Sequence, residues 1–195
     1  MGISPSNEPP IVIGITGASG GAIAIRTLEA LKEARRPVAL VLSAGGRAVL
    51  QEECGLAPHD LTRLADQVYS DGDLAAPIAS GSHRTRAMVV VPCSANTVSK
   101  IALGLGDTLI TRAAHVHLKE RRPLIVVPRE TPLSAILLRN LTTLAENGVV
   151  VLMAAPPFYL RPTSIGDLVD FLAGKVLDHL GVPHHLYRGW KEGEG

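Results

Sequence analysis

A chain of 195 residues is long enough for one domain with a sizeable core. Hydrophobic residues make up 46%, aromatics only 3%, and the formal charge is +1. This is the profile of an aliphatic α/β core, and it excludes a global field for nucleic acid or an anionic membrane. No apolar run approaches the ~20 residues of a membrane span. The two cysteines, Cys54 and Cys93, offer neither a metal spacing nor a disulfide framework. A soluble cytoplasmic protein is the expectation.

Residues 1–10 are polar and Pro-rich and predict a flexible N-terminal tail rather than a signal peptide. The apolar, β-branched run 11–16 predicts a buried strand that stops at Gly17-Ala-Ser-Gly-Gly21. A helix over 21–34 follows, with Ile23, Leu28 and Leu31 facing the core. Free N–H groups at such a helix start favour an anion, most often a phosphate. The turn lacks the full G-x-G-x-x-G pattern, so a plain strand-to-helix turn stands beside that reading.

Residues 38–42 predict a second buried strand, closed by Ser43, and 45–53 a short helix ended by Gly55. A helical turn at 60–65 and a short strand at 68–70 lead into a long loop over 70–86. A strand over 87–91 is broken at Pro92, and Ser94 caps the next helix. Asp107 is the candidate cap for a helix over 108–119, followed by a strand at 123–127. Pro132 opens a helix to 147, and 149–153 is the last strand. After a loop over 154–162, Ser164 or Asp167 starts a helix to Leu180, ended by Gly181.

Strands alternating with helices predict a three-layer α/β/α Rossmann-like (flavodoxin-like) fold with a mainly parallel sheet. One domain spans 11–181, and 182–195 is a C-terminal tail. Ligands of such folds sit at the carboxyl ends of the strands. Ser94, Asn96, Thr97 and the free N–H groups of the helix start there suit a phosphate or a polar ring edge, with a plain capped helix as the alternative. Arg129 is placed to clamp a phosphate and Glu130 to act as acid or base, unless the two are an exposed ion pair. Arg112 and Lys119 lie seven apart on one helix face. Arg121 and Arg122 read as a solvated face, His115 and His117 as helix-surface residues, and His184-His185 as an exposed tail feature. Tyr159 and Trp190 are candidate ligand contacts in a chain so poor in aromatics. No carboxylate and histidine cluster suggests a metal.

These residues resemble the UbiX-like flavin prenyltransferases, a branch of the flavin-dependent cysteine-decarboxylase-like superfamily. The matching pieces are Thr16-Gly-Ala-Ser-Gly20, Ser80-Gly-Ser82, Pro92-Cys-Ser94 with Thr97, and Arg112-Ala-Ala with Leu118-Lys-Glu-Arg-Arg-Pro-Leu124. Val127-Pro-Arg-Glu130 with Pro132, Phe158-Tyr159 with Pro162, and Leu180-Gly181 before Arg188 and Trp190 complete them.

The resemblance implies transfer of a dimethylallyl unit from dimethylallyl phosphate to N5 and C6 of reduced FMN, without a metal. The product, prenylated FMN, would serve a UbiD-like decarboxylase. It implies FMN contacts from Gly17, Ala18, Ser19, Ser43, Ser94, Ala95, Asn96, Thr97 and Arg129. The prenyl phosphate would meet Arg112, Lys119, Arg129, Tyr159, Lys175 and Trp190. Ser19, Glu53, Lys119 and Glu130 would take part in the chemistry, and the tail would close over the site. A homo-oligomer, commonly a dodecamer built from trimers, is implied, with sites at subunit interfaces. Lys175 stands where relatives often carry Arg, Leu137 where a His is common, and Asn96 gives a stretch closer to the decarboxylase branch. Two other readings stay open: an FMN-dependent decarboxylase of a cysteinyl carboxylate, and a non-catalytic flavin carrier subunit of a decarboxylase.

Overall fold

The computed structural model describes residues 8–189. The first strand, β1 (Ile11–Ile15), is buried along its whole length. Its side chains alternate between two cores, as the period of two in a strand requires. Ile11, Ile13 and Ile15 join one apolar cluster and Val12 the other. The helix α1 (Gly21–Glu33) crosses back over the first face, burying Ile23, Leu28 and Leu31. Each such fully buried side chain contributes about 1.5–3 kcal/mol.

The strands β2 (Val38–Leu42), β3 (Gln67–Ser70), β4 (Ala87–Cys93), β5 (Leu124–Pro128) and β6 (Val150–Val151) complete a six-stranded sheet. Its order is β3-β2-β1-β4-β5-β6, and every pair is parallel. The helices α2 (Ala44–Cys54) and α3 (Pro58–Leu61) follow β2. The helices α4 (Ala95–Ala102) and α5 (Leu109–Lys119) connect β4 to β5. The helix α6 (Ala135–Glu146) precedes β6, and α7 (Ile165–Leu180) follows it. Side chains of α1, α2, α3 and α7 share one cluster, and those of α4, α5 and α6 share the other. This is the three-layer arrangement expected of alternating strands and helices.

Several elements differ from expectation for local reasons. Pro92 does not break its strand: β4 runs on to Cys93, because the register shifts between Val90 and Cys93. The missing N–H of Pro92 falls at that irregularity and costs no ladder bond. Thr108, not Asp107, caps α5, since its hydroxyl accepts from Thr111 N–H while Asp107 pairs with Lys100 at 2.6 Å. Ser134, not Pro132, starts α6, its hydroxyl accepting from Leu137 N–H at 3.1 Å. Only Val150 and Val151 pair with β5, so the last strand is shorter than its apolar run. Ser164 caps α7, and Asp167 returns the bond in a capping box.

His117 is buried rather than on the helix surface, bonded to Thr85 Oγ1 at 3.0 Å and Ala113 O at 2.8 Å. Burial is the main cause that lowers its pKa. Arg122 is half-buried, not a solvated charge. It donates to the carbonyls of Gly81 at 2.6 Å and His83 at 2.8 Å, stapling the long loop before β4. Arg121 is exposed, as expected. At the other end, Glu8 pairs with Arg36 at 2.6 Å, and Pro10 O accepts from Arg86 N–H at 3.0 Å. These contacts hold residues 8–10 against the sheet. No helix among the described residues is long and apolar enough to cross a membrane.

Candidate active site

The strand order reverses between β1 and β4, and the helices that follow them leave on opposite faces. A crevice opens there at the carboxyl ends of the strands. Two hydrogen bonds join its walls. Thr16 Oγ1 donates to Pro92 O at 2.8 Å and accepts from Ser94 N–H at 2.8 Å. The N-termini of α2 and α4 face the crevice, each capped by its own hydroxyl. Ser43 Oγ accepts from Gly46 N–H at 2.9 Å, and Ser94 Oγ accepts from Thr97 N–H at 3.3 Å. The resulting cleft measures about 330 Å³. Gly17, Ser43, Ser94, Asn96 and Thr97 line it, as do Lys100, Asp71 and Thr108. Its shape depends on Gly17 and Gly45. A Cβ on Gly45 would lie 2.9 Å from Gly17 Cα, and one on Gly17 would lie 3.1 Å from Gly45 Cα.

The N-terminus of α1 is different. Its first N–H groups are not left for a ligand phosphate, because Glu53 Oε2 accepts from Gly20 N–H at 2.9 Å and Gly21 N–H at 3.0 Å. Gly20 reaches this geometry at φ 118, in the region where a side chain is strained. Burial pushes the Glu53 carboxyl up. Hydrogen bonds from Ser19, Gly20 and Gly21 and the charge of Arg129 outweigh it, so the net shift is downward. Arg129 Nε donates to Ser19 O at 3.4 Å. An ionised carboxylate, a hydroxyl and a guanidinium thus meet at one helix terminus beside the cleft. Glu130 is exposed next to them and accepts from Thr131 N–H at 3.1 Å.

The other sequence candidates lie elsewhere within one chain. Ala18, Ser19, Ala95 and Arg129 border the cleft-forming turns without lining the cleft. Arg112 sits on α5 and donates to Ala79 O at 3.1 Å. Lys119 ends α5 at the amino ends of the strands, opposite the cleft, about 16 Å along an 11-residue helix, and pairs with Glu120. Tyr159 follows β6 and is 47% exposed, edge-on to Phe171 at 6.3 Å. Lys175 lies well along α7, paired with Asp178 at 3.0 Å. His184 is not an exposed tail residue: its side chain is 11% exposed and donates to Asp178. Trp190 lies outside the described residues.

Sequence reasoning missed Thr16, Ala44, Gly45, Asp71, Lys100, Thr108, Ile110 and Thr111 as cleft residues. The Ser43-Ala-Gly-Gly46 run repeats the small-residue signature of the first turn and was a usable signal for Gly45. Asp71 carried none. It reaches the cleft because Asp71 Oδ1 and O accept from Ile110 N–H at 2.9 Å and Leu109 N–H at 2.7 Å, pinning the loop to α5. Among the described residues no group of three or more His, Cys, Asp or Glu is arranged to hold a metal ion. The cleft offers hydroxyls, helix-terminal N–H groups and one ammonium to a phosphorylated polar ligand.

Residues 4–177 match the family model described as Flavoprotein. The chain is 45% identical over 194 residues to the flavin prenyltransferase UbiX of Deinococcus radiodurans, covering all of both chains. Among solved structures, AnUbiX (PadA1) in complex with FMN and dimethylallyl pyrophosphate superposes with a TM-score of 0.93 at 40% identity, over 95% of this chain and 99% of that one. A dodecameric FMN-dependent Ubix-like decarboxylase from Escherichia coli O157:H7 superposes with a TM-score of 0.92 at 38% identity, over 94% of this chain and all of that one.

Proposed function

The chain belongs to the flavoprotein family, as one of its flavin prenyltransferases, and from that premise we propose that it joins a dimethylallyl group from dimethylallyl phosphate to N5 and C6 of reduced FMN. The observation that carries the reading is the cluster of Ser19, Glu53 and Arg129 set against the hydroxyl-lined cleft. The cleft fits FMN in chemistry. Capped helix termini and hydroxyls suit a phosphate and a polar ring edge, and the absence of Cβ atoms on Gly17 and Gly45 lets the two cleft turns pack backbone to backbone.

In this reading Gly17, Ala18, Ser19, Ser43, Arg129 and the run Ser94 to Thr97 hold FMN. Bound and reduced, the flavin supplies the two nucleophilic positions, N5 and C6. Arg129, Arg112, Lys119, Tyr159 and Lys175 stabilise the phosphate that leaves when the allylic C–O bond breaks. Arg129 belongs to both groups because its guanidinium stands between the cleft turn and the exposed edge. Glu53, kept ionised, orients the Ser19 hydroxyl and the Arg129 charge. Glu130 takes the proton released at C6 on ring closure.

Lys119 and Lys175 stand far from Glu53 within one chain, so a complete phosphate site needs groups from a second copy. A homo-oligomer with sites at its interfaces meets that need, and the E. coli relative is dodecameric. In this reading the flavin-binding domain is residues 11–181. The product goes to a UbiD-like decarboxylase. Two free thiols, Cys54 and Cys93, suit a reducing cytoplasm.

Anaerobic incubation with reduced FMN and dimethylallyl phosphate tests the reading. The recovered flavin gains one C5H8 unit in the mass spectrum; unmodified flavin sinks the proposal. Parallel runs with the diphosphate identify the donor.

A further inference from the structure

One carboxylate on α7 gathers three partners. Asp178 Oδ2 accepts from the Lys175 ammonium at 3.0 Å and from the Tyr187 hydroxyl, while Oδ1 accepts from His184 Nε2 at 3.1 Å. Leu186 N–H donates to His184 Nδ1 at 3.2 Å. Nδ1 is therefore the ring's acceptor, and Nε2 carries the proton that meets Asp178. Gly174 makes room for this arrangement: a Cβ there would lie 2.6 Å from Tyr187 Cδ1 and 2.9 Å from His184 Cε1.

The same residues continue toward Tyr159. The Lys175 ammonium sits 5.9 Å from the Tyr187 ring centroid, within cation–π range. Tyr187 packs against Phe171 at 4.9 Å, and Phe171 meets Tyr159 edge-on at 6.3 Å. Tyr159, Phe171, Tyr187 and Lys175 thus form a ladder along α7, and Asp178 joins its far end to the C-terminal segment.

We propose that Asp178 is a positioning residue for the prenyl-phosphate site: it fixes the Lys175 ammonium against Tyr187 and docks the C-terminal segment on α7, so that Lys175 and Tyr159 are presented as one unit. The inference rests on the reading that Lys175 and Tyr159 meet the donor's phosphate. Lysine has three N–H donors. Asp178 engages one and the Tyr187 hydroxyl oxygen lies beside the ammonium, which leaves at least one for a phosphate oxygen. Its flexible stem is ordered before the ligand arrives, which lowers the cost of binding. The pair is partly exposed, so it adds little to global stability.

Steady-state kinetics on the full-length protein, varying dimethylallyl phosphate at saturating reduced FMN, provides the test. In Asp178→Asn the KM for dimethylallyl phosphate rises about five- to tenfold, with kcat within about twofold. FMN affinity and Tm stay at the wild-type values. Tyr187→Phe keeps the ring, loses the hydroxyl, and shows a smaller rise of the same kind. Lys175→Ala raises KM at least as much, and Asp178→Asn adds less than about twofold in that background. An unchanged or lowered KM in Asp178→Asn, with Lys175→Ala still impaired, overturns the positioning role. An unchanged KM in Lys175→Ala instead overturns the phosphate role of Lys175. If Asp178→Asn lowers Tm, Tyr187→Phe carries the test, and an unchanged KM in that variant overturns the proposal.

Discussion

Two helix N-termini flank the switch point of the sheet, and they are filled differently. At α4 the chain supplies a local hydroxyl, Ser94, and leaves the terminus open to the cleft. At α1 it supplies a carboxylate from 33 residues away, Glu53, which takes the N–H groups of Gly20 and Gly21. Both follow a buried strand and a run of small residues. A helix terminus favours negative charge whatever its source, so a side chain of the same protein competes with a ligand phosphate. Here the α1 terminus favours the ionised form of Glu53, and the α4 terminus opens on the cleft.

Removing the charge at α1 has the largest expected effect. Glu53→Gln keeps the size and one acceptor oxygen but loses the hold on Arg129. Prenylation turnover should fall by about a hundredfold or more while FMN affinity changes less than about threefold. Single-turnover kinetics alongside flavin titration separates the two, and a parallel loss of FMN affinity would break the distinction between the termini. On the other side of the crevice, Gly45→Val drives a side chain into Gly17. Overpacking of about 3 kcal/mol weakens FMN binding by about a hundredfold, read by flavin fluorescence. Lys100→Ala removes the ammonium lining the cleft, and its half-buried position predicts about a fivefold loss of FMN affinity.

Smaller effects sharpen the same contrast. Ser94→Ala and Ser134→Ala each lose a helix cap, about 1 kcal/mol and a few degrees in Tm. Only Ser94→Ala should also weaken FMN binding; equal FMN affinity in the two variants would mean that the α4 terminus is structural alone. The smallest effect is in acid. Glu53 titrates below its ordinary value in the folded protein. Its contribution to stability is therefore fully present above the unfolded carboxylate pKa of ~4.3 and is lost as pH falls through the folded value. A pH series of unfolding curves should show that component in the wild type and not in Glu53→Gln.

The C-terminal region teaches the complementary lesson. Read along the chain, His184 is one of a polar pair in a tail. In the folded protein it closes a network with Asp178, Lys175 and Tyr187. His117 and Arg122 changed in the same way, from helix-surface and solvated residues to the groups that hold the loop before β4. His117 and Arg122 had no local signal, because Thr85, Gly81 and His83 lie on a loop brought near only by the fold, whereas His184 finds Asp178 six residues back once the chain turns after α7.

The sequence by itself determined the layered α/β plan, the buried run of β1, the core face of α1, and the cap Ser94. These follow from periodicity and short-range hydrogen bonding, which neighbouring residues decide. It also supplied the motifs that mark the family. Tertiary structure decided what fills each helix terminus, which residues line the cleft, and how far apart the cationic groups stand. Lys119 and Arg112 share a helix face, yet Lys119 ends at the amino ends of the strands, opposite the turns that hold Glu53. A helix crossing antiparallel to its strands carries its two ends to opposite ends of the strands, so two residues that share its face can stand toward opposite ends of the sheet.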